Sequence, residues 1–311
     1  MLLRIDTEPE FGTSYDDMAK LATVAEEVGF DGFFCADHYG DGRTAHRPPG
    51  PLDAWTTLAG LARDTTSLRL GTLVSPATFR LPGSLAVIVA QVDAMSGGRV
   101  ELGLGVGHAE AEHTAYGIPF PPRAERYDRL REQLEILTGM WSTPPDGRFS
   151  YDGKHYQLVD NPVRPRPVQR PHPPIIVGGR GPKKTPALAA AFADEFNVSY
   201  VSPAETAAAF ERVRAACRAI GRDPTTLRCT ATQPLACGAT ISDVERRLTQ
   251  IAFLPSRAVL DHAAVGDPVT VADRLCRFRD AGAEAVYLHC WDPTDTDLLR
   301  LVADQVAPKV R

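Results

Sequence analysis

No apolar stretch in the 311-residue sequence is long enough to span a membrane, no two cysteines stand at Cys-x-x-Cys spacing, and no basic residues gather into a stripe. The first absence leaves the membrane out of the expected partners. The second argues against a dithiol or zinc motif. The six cysteines (Cys35, Cys217, Cys229, Cys237, Cys276, Cys290) read instead as reduced, mostly buried thiols of a cytoplasmic protein. The third, with a net charge of −5, argues against nucleic acid. The start of the sequence is not expected to act as a secretory leader, because the short apolar run from Met1 meets Asp6, Glu8 and Glu10 at once. There is no Gly-x-Ser-x-Gly elbow for a hydrolase, no His-Glu-x-x-His for zinc and no Walker A sequence. His108 and His113 stand five apart, which does not share one helix face, so no metal site is expected.

What is present is a rhythm. Short apolar runs alternate with longer amphipathic segments. Strands are expected at Leu2 to Ile5, Phe33 to Ala36, Leu68 to Val74 and Val100 to Leu104. Helices are expected at Asp16 to Val28, Leu52 to Arg63 and Pro82 to Met95. After Gly107 the rhythm breaks for about sixty residues. This insert, residues 108–173, holds a helix from Arg123 to Met140. It also holds a hairpin from Phe149 to Leu158, turning at Asp152-Gly153. Long excursions from a compact domain are lids or binding loops, or else disordered, and the hairpin and its aromatics argue against disorder.

Strands then resume at Pro174 to Val177, Glu195 to Val198, Leu227 to Leu235 and Ala285 to Leu288. Helices fall at Thr185 to Ala193, Ala204 to Ile220, Val269 to Ala281 and Leu298 to Val306. A second insert, about 237–266, carries a helix from Val244 to Phe253. Eight strand–helix units predict an α/β fold: one (β/α)₈ TIM barrel over residues 1–311, with its insertions at the C-terminal face. A doubly wound open sheet is the runner-up.

In such a barrel the active site lies at the C-terminal strand ends. That rule selects Asp37-His38, Val74-Ser75-Pro76, Gly105 to His108, Gly178 to Gly181 and His289-Cys290-Trp291. A histidine at a strand end can polarise a ligand or move a proton near neutral pH; the alternative for His38 is a bond to a neighbouring loop. Gly103, Gly105 and Gly107 fail the dinucleotide fingerprint, since His108 stands where its third glycine belongs. They signal either tight backbone packing where the chain leaves the barrel or close approach of a planar ring or a phosphate. Gly178-Gly179-Arg180-Gly181 opens a helix, where free amides favour an anion, with Arg180 and Lys183 adding positive charge.

The stretch from Ser96 through Gly107 to Glu110-Ala-Glu-His113 resembles luciferase-like flavin-dependent oxidoreductases. The likeness continues through Tyr116-Gly-Ile-Pro-Phe120, Arg126 to Leu130 and Pro167 to Gly179, and ends at Ala193 to Asn197. Asp37-His38 and Leu70 to Val74 are most similar to the branch that uses the deazaflavin coenzyme F420. The resemblance implies a cofactor ring at the barrel mouth, beside Asp37 and His38. It implies a bulge at Leu73-Val74, next to Ser75, often with a non-proline cis peptide, behind that ring. Gly105, Val106, Gly107, His108 and Glu112 would line the phosphoribityl side. Val177, Gly178, Gly179 and Arg180 would hold the phosphate.

The implied activity is hydride transfer between the deazaflavin and a small organic substrate. His38 would stand nearest the reaction, Asp37 would orient it, and His108 would serve as a second acid/base or as filler. The sugar-phosphate dehydrogenase members carry Glu near position 108, so His108 argues against that activity. The alternatives are a reduced-FMN, oxygen-using monooxygenase on the same fold and a non-catalytic flavin-binding barrel. The resemblance also implies a homodimer.

Overall fold

A computed structural model describes residues 1–9, 12–40, 50–251 and 257–311. Eight strands form a ring: β1 (Leu2–Thr7), β2 (Gly32–Cys35), β3 (Arg69–Thr72), β4 (Val100–Gly105), β5 (Ile175–Gly178), β6 (Glu195–Ser199), β7 (Arg228–Cys237) and β8 (Ala285–Cys290). Each pairs in parallel with its sequence neighbours. Strand β8 then pairs in parallel with β1, Asp6 opposite His289, and the barrel closes. The open sheet is thereby set aside, and all eight expected strands are present, each within two residues of its expected bounds.

Buried residues run without a break along β4 and β8. That continuity is the mark of parallel strands covered on both faces. The helices are started by local chemistry. Ser14 and Asp17 form a reciprocal capping box at the helix Tyr15–Glu27, and Ser202 and Glu205 form another at Pro203–Ala219.

The N-terminal end of the barrel is plugged by buried charge. Arg4 Nη1 donates to Glu101 at 2.9 Å, to Glu195 at 3.1 Å and to the Tyr287 hydroxyl at 2.5 Å. Tyr287 donates to Glu195 at 2.6 Å, and Arg69 Nε reaches Glu101 at 2.8 Å.

Three expectations need correction. The third strand does not run to Val74. It stops at Thr72, the Leu73–Val74 peptide is cis, and Ser75–Pro76 then pairs with Leu104 and Gly105. Val74 fills the space left by missing side chains. A Cβ on Gly105 would lie 2.8 Å from Val74 Cγ2, and one on Gly103 2.9 Å from Val74 Cγ1.

The hairpin pairs Phe149–Asp152 with Gln157–Asn161, so Asp152 belongs to the strand and the loop is 153–156. The cause is Glu132, whose carboxylate accepts the backbone N–H groups of Lys154, His155 and Tyr156 at 2.9–3.0 Å. The loop wraps that carboxylate instead of turning tightly at Asp152-Gly153.

In the second insert the helix runs Ile241–Thr249, started by a Thr240–Asp243 capping box one turn ahead of the expected Val244. Its expected end at Phe253 lies outside the described residues. A short strand, Ala264–Gly266, then pairs with the end of β7.

Candidate active site

A cavity of about 630 Å³ opens at the C-terminal ends of the strands, and all eight strands or the loops after them contribute to its wall. His38 sits on that wall, just beyond β2. Its Nδ1 lies 2.8 Å from Glu112 Oε1. The second Glu112 oxygen accepts the Tyr39 backbone N–H at 3.1 Å. Glu112 is carried by a six-residue helix, Glu110–Ala115, that the sequence pattern did not reveal. Burial pushes its carboxyl up, but the bonds from His38 and Tyr39 outweigh that and hold it below the ordinary range.

Asp37 does not sit beside the cavity and does not touch His38. It is fully buried behind the wall, where Ser75 Oγ and Arg80 Nη1 each donate to Oδ2 at 2.5 Å. Arg80 also bridges to Asp53. The reason is geometric, since consecutive residues leaving a strand point to opposite sides. Asp37 therefore fastens the loop after β3 rather than orienting His38. Glu112 holds the place assigned to it.

His108 lines the cavity at its rim, its ring edge-to-face with His38 at 5.1 Å. Desolvation, then the nearby His38 charge, keep its pKa below the ordinary 6.5. Both favour the neutral ring.

Of the other expected residues, Leu73, Val74, Gly105, Val106, Gly107, Gly178, Gly179 and Arg180 line the cavity. Ser75 and Val177 are buried behind it, Ser75 also accepting a bond from Trp55 Nε1 at 3.1 Å. The glycine-rich turn leads into the helix Lys184–Phe192, whose first turn has no side-chain cap. Thr185 of that turn is bonded to the Tyr127 hydroxyl at 2.9 Å.

Two groups went unrecognised in the sequence. The insert contributes Arg123, Arg126 and Tyr127 to the wall. Across the barrel, His289 on β8 has Nδ1 2.9 Å from both Asp6 Oδ2 and the Tyr200 hydroxyl, and Nε2 3.4 Å from Glu8 Oε1. The strand-end rule had marked His289. Asp6 and Glu8 had been read only as evidence against a leader.

The chain belongs to the luciferase-like monooxygenase family, whose profile matches residues 1–260. Among curated proteins it is 35% identical over 181 residues to an F420-dependent glucose-6-phosphate dehydrogenase of Microbacterium testaceum. That match covers 57% of this chain and 50% of the relative, so the chain spans about half the length of the curated relatives it matches. Among solved structures it is similar to a coenzyme F420 dependent tetrahydromethanopterin reductase of Methanopyrus kandleri, with a TM-score of 0.84, 21% identity and 100% and 99% of the two chains covered. A monooxygenase of Streptomyces bottropensis superposes with a TM-score of 0.85 at 23% identity, covering 100% of each chain. At such identities the solved structures speak for the barrel fold.

Proposed function

We propose that this chain is a deazaflavin (coenzyme F420) dependent oxidoreductase, passing a hydride between the deazaflavin and a small organic substrate. The observation that carries this reading is the His38–Glu112 pair on a cavity wall that glycines have cleared. A Cβ on Gly178 would lie 3.1 Å from Val74 Cγ1, and one on Gly105 closer still to Val74. Bare backbone and one valine thus make a surface that admits a flat ring, in a cavity of the size cofactors occupy. The curated relatives named F420-dependent support the deazaflavin over FMN.

The deazaflavin, when bound, supplies the carbon that gives or takes the hydride. The protein's own work is orientation and proton control. With Glu112 facing Nδ1, the His38 tautomer is set, and proton exchange with the substrate runs through Nε2. His108, Gly107 and Val106 line the ribityl side. Gly178, Gly179 and Arg180, ahead of the Lys184 helix start, hold the phosphate. Asp37 and Ser75 support the wall from behind, through Arg80. The insert of residues 108–173 covers the substrate as part of the same domain and excludes water through Arg123, Arg126 and Tyr127.

The test is a spectrum and a turnover assay. The purified chain binds the deazaflavin, and His38→Ala lowers turnover by about 10²–10⁴ while the chain still folds, less stable by the lost Glu112 bond. Full activity in that variant, or turnover that consumes oxygen, overturns the reading.

A further inference from the structure

The cavity is electrically polarised. In a ring of eight strands β1 and β5 stand opposite each other. The β4–β5 side carries Arg180 and the insert's Arg123 and Arg126. The β8–β1 side carries Asp6, Glu8 and His289.

The anionic side is built rather than incidental. Asp6 and His289 are 3% and 1% exposed, and Asp6 Oδ2 is held by His289 while Oδ1 meets no well-formed hydrogen-bond donor among the described residues. An acceptor buried on a cavity wall without a donor is costly unless a ligand brings one. Glu8 adds a second carboxylate whose side chain is 17% exposed. With both carboxyls ionised, Asp6, Glu8 and His289 together are net negative even when His289 is protonated. Burial pushes both carboxyls above their ordinary range, with His289 and His38 pulling the other way, so a ligand that brings a donor or a cation favours their charged forms. Among the described residues no three such groups are placed to share a metal ion.

We propose that Asp6, Glu8, His289 and Tyr200 form the substrate subsite, taking an uncharged or cationic substrate through its O–H or N–H donors and rejecting one that carries a carboxylate or phosphate there. The proposal rests on the cofactor reading above, which gives the cationic side to the cofactor's phosphate and leaves this side to the substrate. The subsite adjoins His38, whose charge is felt at both Asp6 and Glu8. A donor-bearing substrate carbon bound here stands next to the proton-handling group. It also departs from the sugar phosphate named for the curated relatives.

The test uses three small secondary alcohols that differ in one terminal group: 1-amino-2-propanol, 1,2-propanediol and lactate. Their dissociation constants are measured by ligand-observed NMR on the full chain, with and without the deazaflavin. The amine and the diol bind at least about tenfold more tightly than lactate. In Glu8→Gln and Asp6→Asn that ratio collapses to within about threefold. If only the amine weakens in Glu8→Gln, the site takes a cation. If amine and diol weaken together, it takes neutral donors. Should Asp6→Asn fail to fold, Glu8→Gln, the more exposed of the two, carries the test.

Lactate binding as tightly as the others, or none of the three binding, overturns the subsite. Deazaflavin affinity in the same samples separates the two readings. A chain that binds the deazaflavin without charge preference loses only the subsite. A chain that does not bind it loses the cofactor assignment, while the charge ranking still judges the subsite.

Discussion

Glu112 Oε1 lies 2.8 Å from His38 Nδ1, and the two residues are 74 positions apart in the chain. This bond ties the loop after β2 to the short helix that opens the insert. Its loss is expected to cost about 1–3 kcal/mol, the range for a buried group left without its partner. Glu112→Gln measures it by urea unfolding. Because the folded-state pKa of Glu112 lies below the ordinary 4.5, its contribution is fully present above that value. It is lost as the pH falls through the folded pKa. The gap between wild type and variant therefore narrows below pH 4.5. A gap that does not change with pH contradicts the assignment.

Gly105 offers a second test. Its missing side chain makes room for Val74, and Gly105→Ala pushes that valine toward the cavity. The expected cost is about 1–3 kcal/mol for overpacking. Deazaflavin affinity should fall by about tenfold, because the surface behind the ring is no longer flat. Fluorescence titration reads the affinity, and thermal unfolding reads the stability. Unchanged affinity would show that the Val74 surface does not meet the ring.

At the other end of the barrel, Arg4 bridges Glu101 and Glu195. Arg4→Met leaves two buried carboxylates with too little compensation, for an expected loss of about 3–5 kcal/mol. Denaturant unfolding measures it. Replacing Arg4 and both glutamates together by apolar residues should recover much of the loss, since a buried ion pair is weak as a net stabiliser.

His108 is expected to titrate below 6.5, as desolvation and the neighbouring His38 both oppose its charging. Proton NMR of the imidazole resonances gives the midpoint. The sign for folding follows: as pH falls below 6.5, the unfolded chain takes up the proton more readily than the native one, and this residue destabilises the fold. A midpoint above 6.5 would mean that Glu112, not His38, dominates its surroundings.

The eight strands were legible because parallel strands buried on both faces appear as continuous apolar runs, as in Val100–Gly105. The break at Leu73–Val74 was not readable from propensity, since Val74 favours a strand; it follows from glycines on β4 and β5 that lie far along the chain. Asp37 was misplaced because adjacency in sequence suggested adjacency in function. The strand pleat instead turned it toward Ser75 and Arg80. Asp6 and His289 are 283 positions apart, and only barrel closure brings them together. A wall assembled by closure leaves no local motif.

The charge plug around Arg4 has a kinetic consequence. A barrel sealed at its lower end is a vessel with one opening, so everything that enters must leave by the same route. Whatever seats deepest arrives first and departs last. Two molecules stacked in such a vessel would exchange in order, the upper one leaving first.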